Sequence, residues 1–167
     1  MAKIKYLVIH STATPDGRDV TADDIRRMHC SPVSAGGRGW KQVGYTDLFR
    51  LDGRVERLAD NNEDANVDPW EITNGAAGYN SVSRHIVYAG GCDEALRPKD
   101  TRSTAQRVAM ADYVRDFHRR FPSVKIIGHR DLSPDRNGDG VIEPSEWTKA
   151  CPCFDVASWL KEIGINQ

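Results

Sequence analysis

The sequence has no long apolar run, no surplus of either sign of charge and few cysteines, and each shortage removes a class of function. No stretch of its 167 residues approaches the roughly 20 apolar residues of a membrane-spanning helix. The apolar part of MAKIKYLVIH is too short for a signal-peptide core and is broken by Lys5. The chain is therefore expected to be made in the cytoplasm without a signal peptide and to have no membrane partner. With 23 basic and 24 acidic residues and no basic arm, the net charge of -1 gives no electrostatic reason for a nucleic-acid partner. Cys30, Cys92, Cys151 and Cys153 are unevenly spread, which argues against a disulfide framework and leaves thiolate chemistry or metal ligation. Internal repeats and low-complexity tracts are also missing. What is present, 39% hydrophobic residues over this length, suits one compact domain that buries about two-thirds of its unfolded-chain surface, and a monomer is expected.

Strand and helix signals alternate along the chain. Ile4 to His10 is apolar and β-branched and predicts a buried strand. Thr21 then opens TADDIRRMH, a helix with an acidic first turn and Asp24 at the capping-box position. After the loop SPVSAGGRG, Val43 to Arg50, Asp52-Gly53 and Arg54 to Leu58 have the strand, turn, strand order of a hairpin. Residues 60 to 80 are a long polar connection, and Arg84 to Ala89 predicts another strand. Ser103 with Gln106 opens a helix whose stripe of Val108, Ala111, Val114, Phe117 and Phe121 predicts a core face. Val124 to Gly128 is a short strand that delivers His129, and Asp155 caps a last helix ended by Gly164. The expected fold class is α/β, a single domain over residues 1–167 with a central mixed β-sheet flanked by helices.

The chemistry gathers near the C-terminus, in GHRDLSPDRNGDGVIEPSEWTKACPCFD, and at His10 in VIHSTAT. Zinc holds neutral imidazole and thiolate, and a catalytic zinc uses three protein ligands with a fourth position for water, whose pKa falls toward ~7. His10, His129 and one of the two C-terminal cysteines would complete such a set. A second signal runs from Asp135 to Glu146 and fits D-x-[DN]-x-[DN]-G-x5-E. Asp135, Asn137 and Asp139 would offer side-chain oxygens, Val141 its carbonyl and Glu146 a bidentate carboxylate. Calcium is expected in this calcium-loop-like insertion at 135–146, set against an acidic turn held by its glycines and Asx-type bonds. Because the loop lies between His129 and the two C-terminal cysteines, ordering it would fix prospective zinc ligands relative to each other.

The order VIHSTAT, VGY before a strand and a DG turn, GYN before an apolar strand ending in GG, GHRD and KACPCFD resembles the zinc-dependent N-acetylmuramoyl-L-alanine amidases. That family includes the short phage lysozyme-type amidases and is related to the peptidoglycan recognition proteins. The resemblance implies one zinc held by His10, His129 and Cys151, with Cys153 a packed neighbour, and assistance to catalysis from Tyr45 and Lys149. It implies peptidoglycan or a muropeptide as substrate and hydrolysis of the amide between N-acetylmuramic acid and L-alanine. An endolysin that reaches the cell wall after release is the leading expectation; a cytosolic muropeptide-recycling amidase and a non-catalytic muropeptide-binding module are the alternatives. Many relatives follow the VGY tyrosine with histidine, where this chain has Thr46 and Asp47. Relatives also often carry a histidine shortly before GYN, where it has Asn74-Gly75-Ala76-Ala77-Gly78. Substrate-binding residues are left unassigned, with the connection of residues 60 to 80 expected to carry specificity.

Overall fold

Two apolar segments far apart in sequence, Tyr6–Ser11 and Ser83–Tyr88, pair in parallel over their whole length and form the middle of the molecule in a computed structural model that describes residues 1–167. In chain order the strands are β1 (Ala2–Lys3), β2 (Tyr6–Ser11), β3 (Thr14–Pro15), β4 (Asp47–Phe49), β5 (Val55–Arg57), β6 (Asn66–Val67), β7 (Ser83–Tyr88), β8 (Gly91–Cys92) and β9 (Lys125–Gly128). The main sheet has the order β5-β4-β7-β2-β9, with only β5 antiparallel to its neighbour; β1-β6 and β3-β8 are two-stranded additions. A parallel interior strand is covered on both faces, which is why β7 is buried at every position and β2 at all but Tyr6.

Helices α1 (Ala22–Cys30), α2 (Thr104–Arg120) and α3 (Val156–Glu162) supply the covering layers. On one face, Leu7, Ile9, Ile86, Tyr88 and Ile126 meet Met110, Val114 and Phe117 of α2 and Trp159 and Leu160 of α3 in the larger core cluster. On the other, Leu48 and Val87 pack with Ala22 and Ile25 of α1. Both long helices begin as expected: Thr21 with Asp24 and Ser103 with Gln106 form reciprocal capping boxes, and Asp155 caps α3 through the amide of Ser158. The fold class is therefore the expected one, a single α/β domain with a mixed sheet between helices.

Most strand ends shift by one residue from expectation, and three boundaries and one core position have a physical reason for differing. Ile4 and Lys5 lie outside β2 because their amides donate to Ala65 and Val82 carbonyls rather than to the sheet. Ser11, beyond the predicted strand end, belongs to β2 because its register with Tyr88 continues. Val43 to Thr46 is irregular, since the amide of Gly44 donates to Nδ1 of His29 at 3.0 Å instead of to a neighbouring strand. Val108 is 58% exposed, and Met110 takes its place in the core. At about 100° per residue Val108 lies about 160° around the helix from Met110, so the apolar stripe continues without it.

Candidate active site

The sheet brings its histidines together on the α1 side. In the β2–β7 register Val8 lies opposite His85, so His85 and Val87 share a face with Val8 and His10. β9 delivers His129 into a 3₁₀ turn directly after its last residue. The segment carrying Cys151 is then tied to that turn, because the amide of Arg130 donates to the Cys151 carbonyl at 2.8 Å. Gly128 lets the two segments close, as a Cβ there would stand 2.7 Å from Cδ of Pro152. On the far side the Tyr88 hydroxyl donates to the Pro152 carbonyl at 2.7 Å.

The result is a convergence of ligand atoms. One atom each from His10, His129 and Cys151 lie within 4.8 Å of one another, and no other group of three His, Cys, Asp or Glu side chains does so. His10 presents Nδ1 to the group, 3.8 Å from Cys151 Sγ, and its ring centroid is 4.6 Å from that of His129. The donor set suits zinc. Burial holds His10 well below the ordinary imidazole value, and burial with the nearby Lys149 charge pushes His129 down to about 4, so both rings offer lone pairs at neutral pH. Burial pushes the Cys151 thiol up to about 11, opposed by the Ser11 amide that donates to its sulfur at 3.3 Å, so ligation must displace a proton. Cys153 stands apart, its sulfur 3.8 Å from Ser11 Oγ.

His10, His129 and Cys151 all line one cleft of about 930 Å³. Tyr45, half-buried, has its ring 5.0 Å from that of His10, and burial raises its hydroxyl pKa well above the ordinary value, so it enters the site protonated. Lys149 lines the same cleft from the segment before Cys151. No Asp or Glu lines the cleft, whereas Arg38, Lys41 and Lys149 do, and Asn74 to Ala77 with Tyr79 and Asn80 form part of its wall. Only this second half of the 60 to 80 connection reaches the cleft. The first half is used structurally, with Glu71 accepting from the amides of Asn62 and Asp68.

Thr46 and Asp47, the two departures after Tyr45, turn inward. Asp47 is 2% exposed and accepts from Arg57 at 2.7 Å and from the Tyr113 hydroxyl at 2.8 Å, away from the cleft. The loop at 135–146 is closed by its own backbone: Asp135 accepts from the amides of Gly138 and Gly140, Asn137 from Asp139 and Asp139 from Val141. Glu146, buried, accepts from Arg136 and Glu143 amides. Val141 is exposed. Asp135, Asp139 and Glu146 are not drawn together as the His10 group is.

Sequence reasoning missed His29, His85 and the cleft cations Arg38 and Lys41. His29 packs against Trp40 and Tyr45, with centroids 4.9 and 5.3 Å away, and burial with the Arg38 charge pushes it down to about 4. For His85 the available signal was a histidine inside an otherwise apolar strand, SRHIVY.

Comparison with known proteins finds relatives over nearly the whole chain. The endolysin of Enterobacteria phage K11 is 28% identical over 169 residues, covering 96% of this chain and 93% of the relative. Among solved structures, the Ph2119 endolysin from a Thermus scotoductus bacteriophage superposes with a TM-score of 0.66 at 21% identity, covering 99% of this chain and 88% of that one. The complex of tracheal cytotoxin with the peptidoglycan recognition proteins LCa and LCx superposes with a TM-score of 0.60 at 20% identity, covering 97% and 83%. The family pattern of N-acetylmuramoyl-L-alanine amidases matches residues 1–153, so the chain belongs to that amidase family.

Proposed function

We propose that this amidase cleaves the bond between the lactyl group of N-acetylmuramic acid and L-alanine with one zinc held by His10, His129 and Cys151, and that it serves as an endolysin on the cell wall. The observation that carries the reading is the convergence of those three ligand atoms within 4.8 Å in residues that line the cleft. Zinc, when bound, supplies Lewis-acid polarisation of a carbonyl and lowers the pKa of a water. The residues around it have separable tasks. Tyr45, kept protonated by burial, can donate to a developing oxyanion and cannot act as a base near pH 7. Lys149 adds a cation on the same side of the cleft, and Arg38 and Lys41 suit the carboxylates of a peptide stem. The Ser11 amide supports the negative sulfur of Cys151. Asn74 to Asn80 are the part of the polar connection placed to contact the peptide or glycan.

Full-length similarity to the K11 endolysin supports action on intact walls. The test is hydrolysis of purified peptidoglycan, scored for new L-alanine amino termini without new reducing ends, on zinc-analysed wild type and Cys151→Ala. Cleavage of soluble muropeptides with no action on intact walls would instead indicate a recycling amidase. A pure recognition module is the reading favoured by the tracheal cytotoxin complex; the complete ligand set argues against it, and zinc-loaded protein that binds walls without cutting them would establish it. Calcium bound by Asp135, Asn137, Asp139, Val141 and Glu146 is the finer part of the proposal. Its support is the full sequence match, and carboxylate oxygens keep a free lone pair after accepting one amide.

A further inference from the structure

His85 is fully buried, outside the ligand group, and aimed at it. Its Nδ1 lies 3.0 Å from Nε2 of His10, and its own Nε2 has no hydrogen-bond partner. The ring is clamped from the other side by backbone: a Cβ on Gly75 would stand 2.4 Å from Cγ and Nδ1 of His85. This explains why the stretch before Tyr79 carries a glycine here, since β7 fills that space with an imidazole.

The contact matters because a neutral imidazole has one protonated and one bare nitrogen. His10 turns Nδ1 toward Cys151 and Nε2 toward His85. For Nδ1 to offer a lone pair to a metal, the proton must sit on Nε2, and at 3.0 Å that N–H has one acceptor, Nδ1 of His85. His85 must then carry its own proton on the nitrogen that has no partner, which is an unfavourable place for a buried donor. The opposite arrangement, with His85 Nδ1–H donating to His10, leaves a bare acceptor instead of a donor unpaired at His85 Nε2 and puts the His10 proton on Nδ1, where a metal cannot bind. The pair thus has two tautomeric arrangements, and ligation selects one.

We infer that His85 is a positioning residue for His10, accepting its Nε2–H and holding it in the tautomer whose Nδ1 can bind zinc. The inference rests on the proposed zinc site and goes beyond its three ligands. Removing an outer partner of a ligating histidine typically weakens metal binding about 10- to 100-fold. The experiment is chelator competition for zinc on wild type, His85→Leu and His85→Asn, with melting of each metal-free protein as a control for folding. His85→Leu should bind zinc about 10- to 100-fold more weakly, and His85→Asn, whose side-chain oxygen can take the place of Nδ1, should recover most of that loss. Nitrogen-15 spectra of the zinc-loaded wild type read the tautomer without any substitution and should show His10 protonated at Nε2. Wild-type affinity in a folded His85→Leu, or His10 protonated at Nδ1 with zinc bound, overturns the inference and leaves the zinc site standing. A wild type that takes up no zinc overturns the site itself, and this inference with it.

Discussion

Two parts of the molecule are rich in metal-ligand side chains, and they are built in opposite ways. His10, His129 and Cys151 come from three separated segments, and their lone pairs are left facing one another because the sheet and the 128–152 contact hold them there. The loop at 135–146 has all its prospective ligands in one local run, and its side-chain oxygens face the loop's own amides. A site assembled by tertiary structure has no local substitute for its ligand, whereas a loop that closes on itself keeps its shape when its cation is withheld. The first should therefore be sensitive to single substitutions, and the second should act through stability.

The largest effect is expected at Cys151. Cys151→Ala should abolish zinc uptake and lower amide hydrolysis about 10³-fold or more, because a metal worth several kcal/mol of transition-state stabilisation is lost. Zinc analysis beside the peptidoglycan assay checks it, and a fully loaded, active Cys151→Ala would mean that the site lies elsewhere. Next come the two side chains that line the cleft without ligating. Tyr45→Phe and Lys149→Ala should each lower kcat about 10²-fold or more with zinc stoichiometry unchanged, the loss typical of one donor to an oxyanion. If either variant instead loses zinc while keeping its turnover per zinc, its role is structural.

Metal-free protein should show a pH response that originates at the first region. The unfolded chain takes up protons on its histidines near 6.5, whereas burial holds His29 and His129 at about 4 and His85 at about 3. Between these values the unfolded state binds more protons, so the histidines lower stability as pH falls from about 6.5 toward 3. Cys151 works in the other direction, since burial raises it from 9.0 to about 11 and the folded state holds the extra proton in between. Stability therefore declines again as pH rises through that window. Urea midpoints at pH 5, 7.5 and 10 measure both limbs. The alkaline decline should be reduced in Cys151→Ala, and a midpoint that stays flat down to pH 5 would contradict the acid limb.

Much of the fold was legible because its signals are local. Caps at Thr21, Ser103 and Asp155 and the turn at Asp52-Gly53 act over a few residues and were read correctly. Val108 was misplaced because an apolar residue can sit on the wet side of a helix at little cost. Val43 to Thr46 carries a strand pattern, and nothing in the sequence announces that Gly44 gives its amide to His29. The convergence of His10, His129 and Cys151 depends on parallel registers across the whole chain, which spacing alone does not specify; resemblance to a family named them. His85 carried no such label, and its place beside His10 follows only from the pairing of Val8 with His85.

The smallest effect is expected from calcium, and it tests the second half of the comparison. The amides of Gly138, Gly140, Asp139 and Val141 already hold the loop in a closed shape, so an added ion would have to draw Asp135, Asp139 and Glu146 together against those bonds, and its net effect is small. At ten times its dissociation constant such an ion adds about 1.4 kcal/mol. For a domain of this size that is a rise of about 3–6 °C in Tm. Zinc-loaded protein melted with and without added calcium should show it, and Asp139→Asn should shrink the response while leaving zinc content and turnover unchanged. Because the loop lies between His129 and Cys151, calcium should also slow zinc loss to a competing chelator. Equal Tm values across the calcium series would make the loop an acidic turn held by its own hydrogen bonds, and a large fall in turnover on calcium removal would mean that the two regions are less independent than their construction implies.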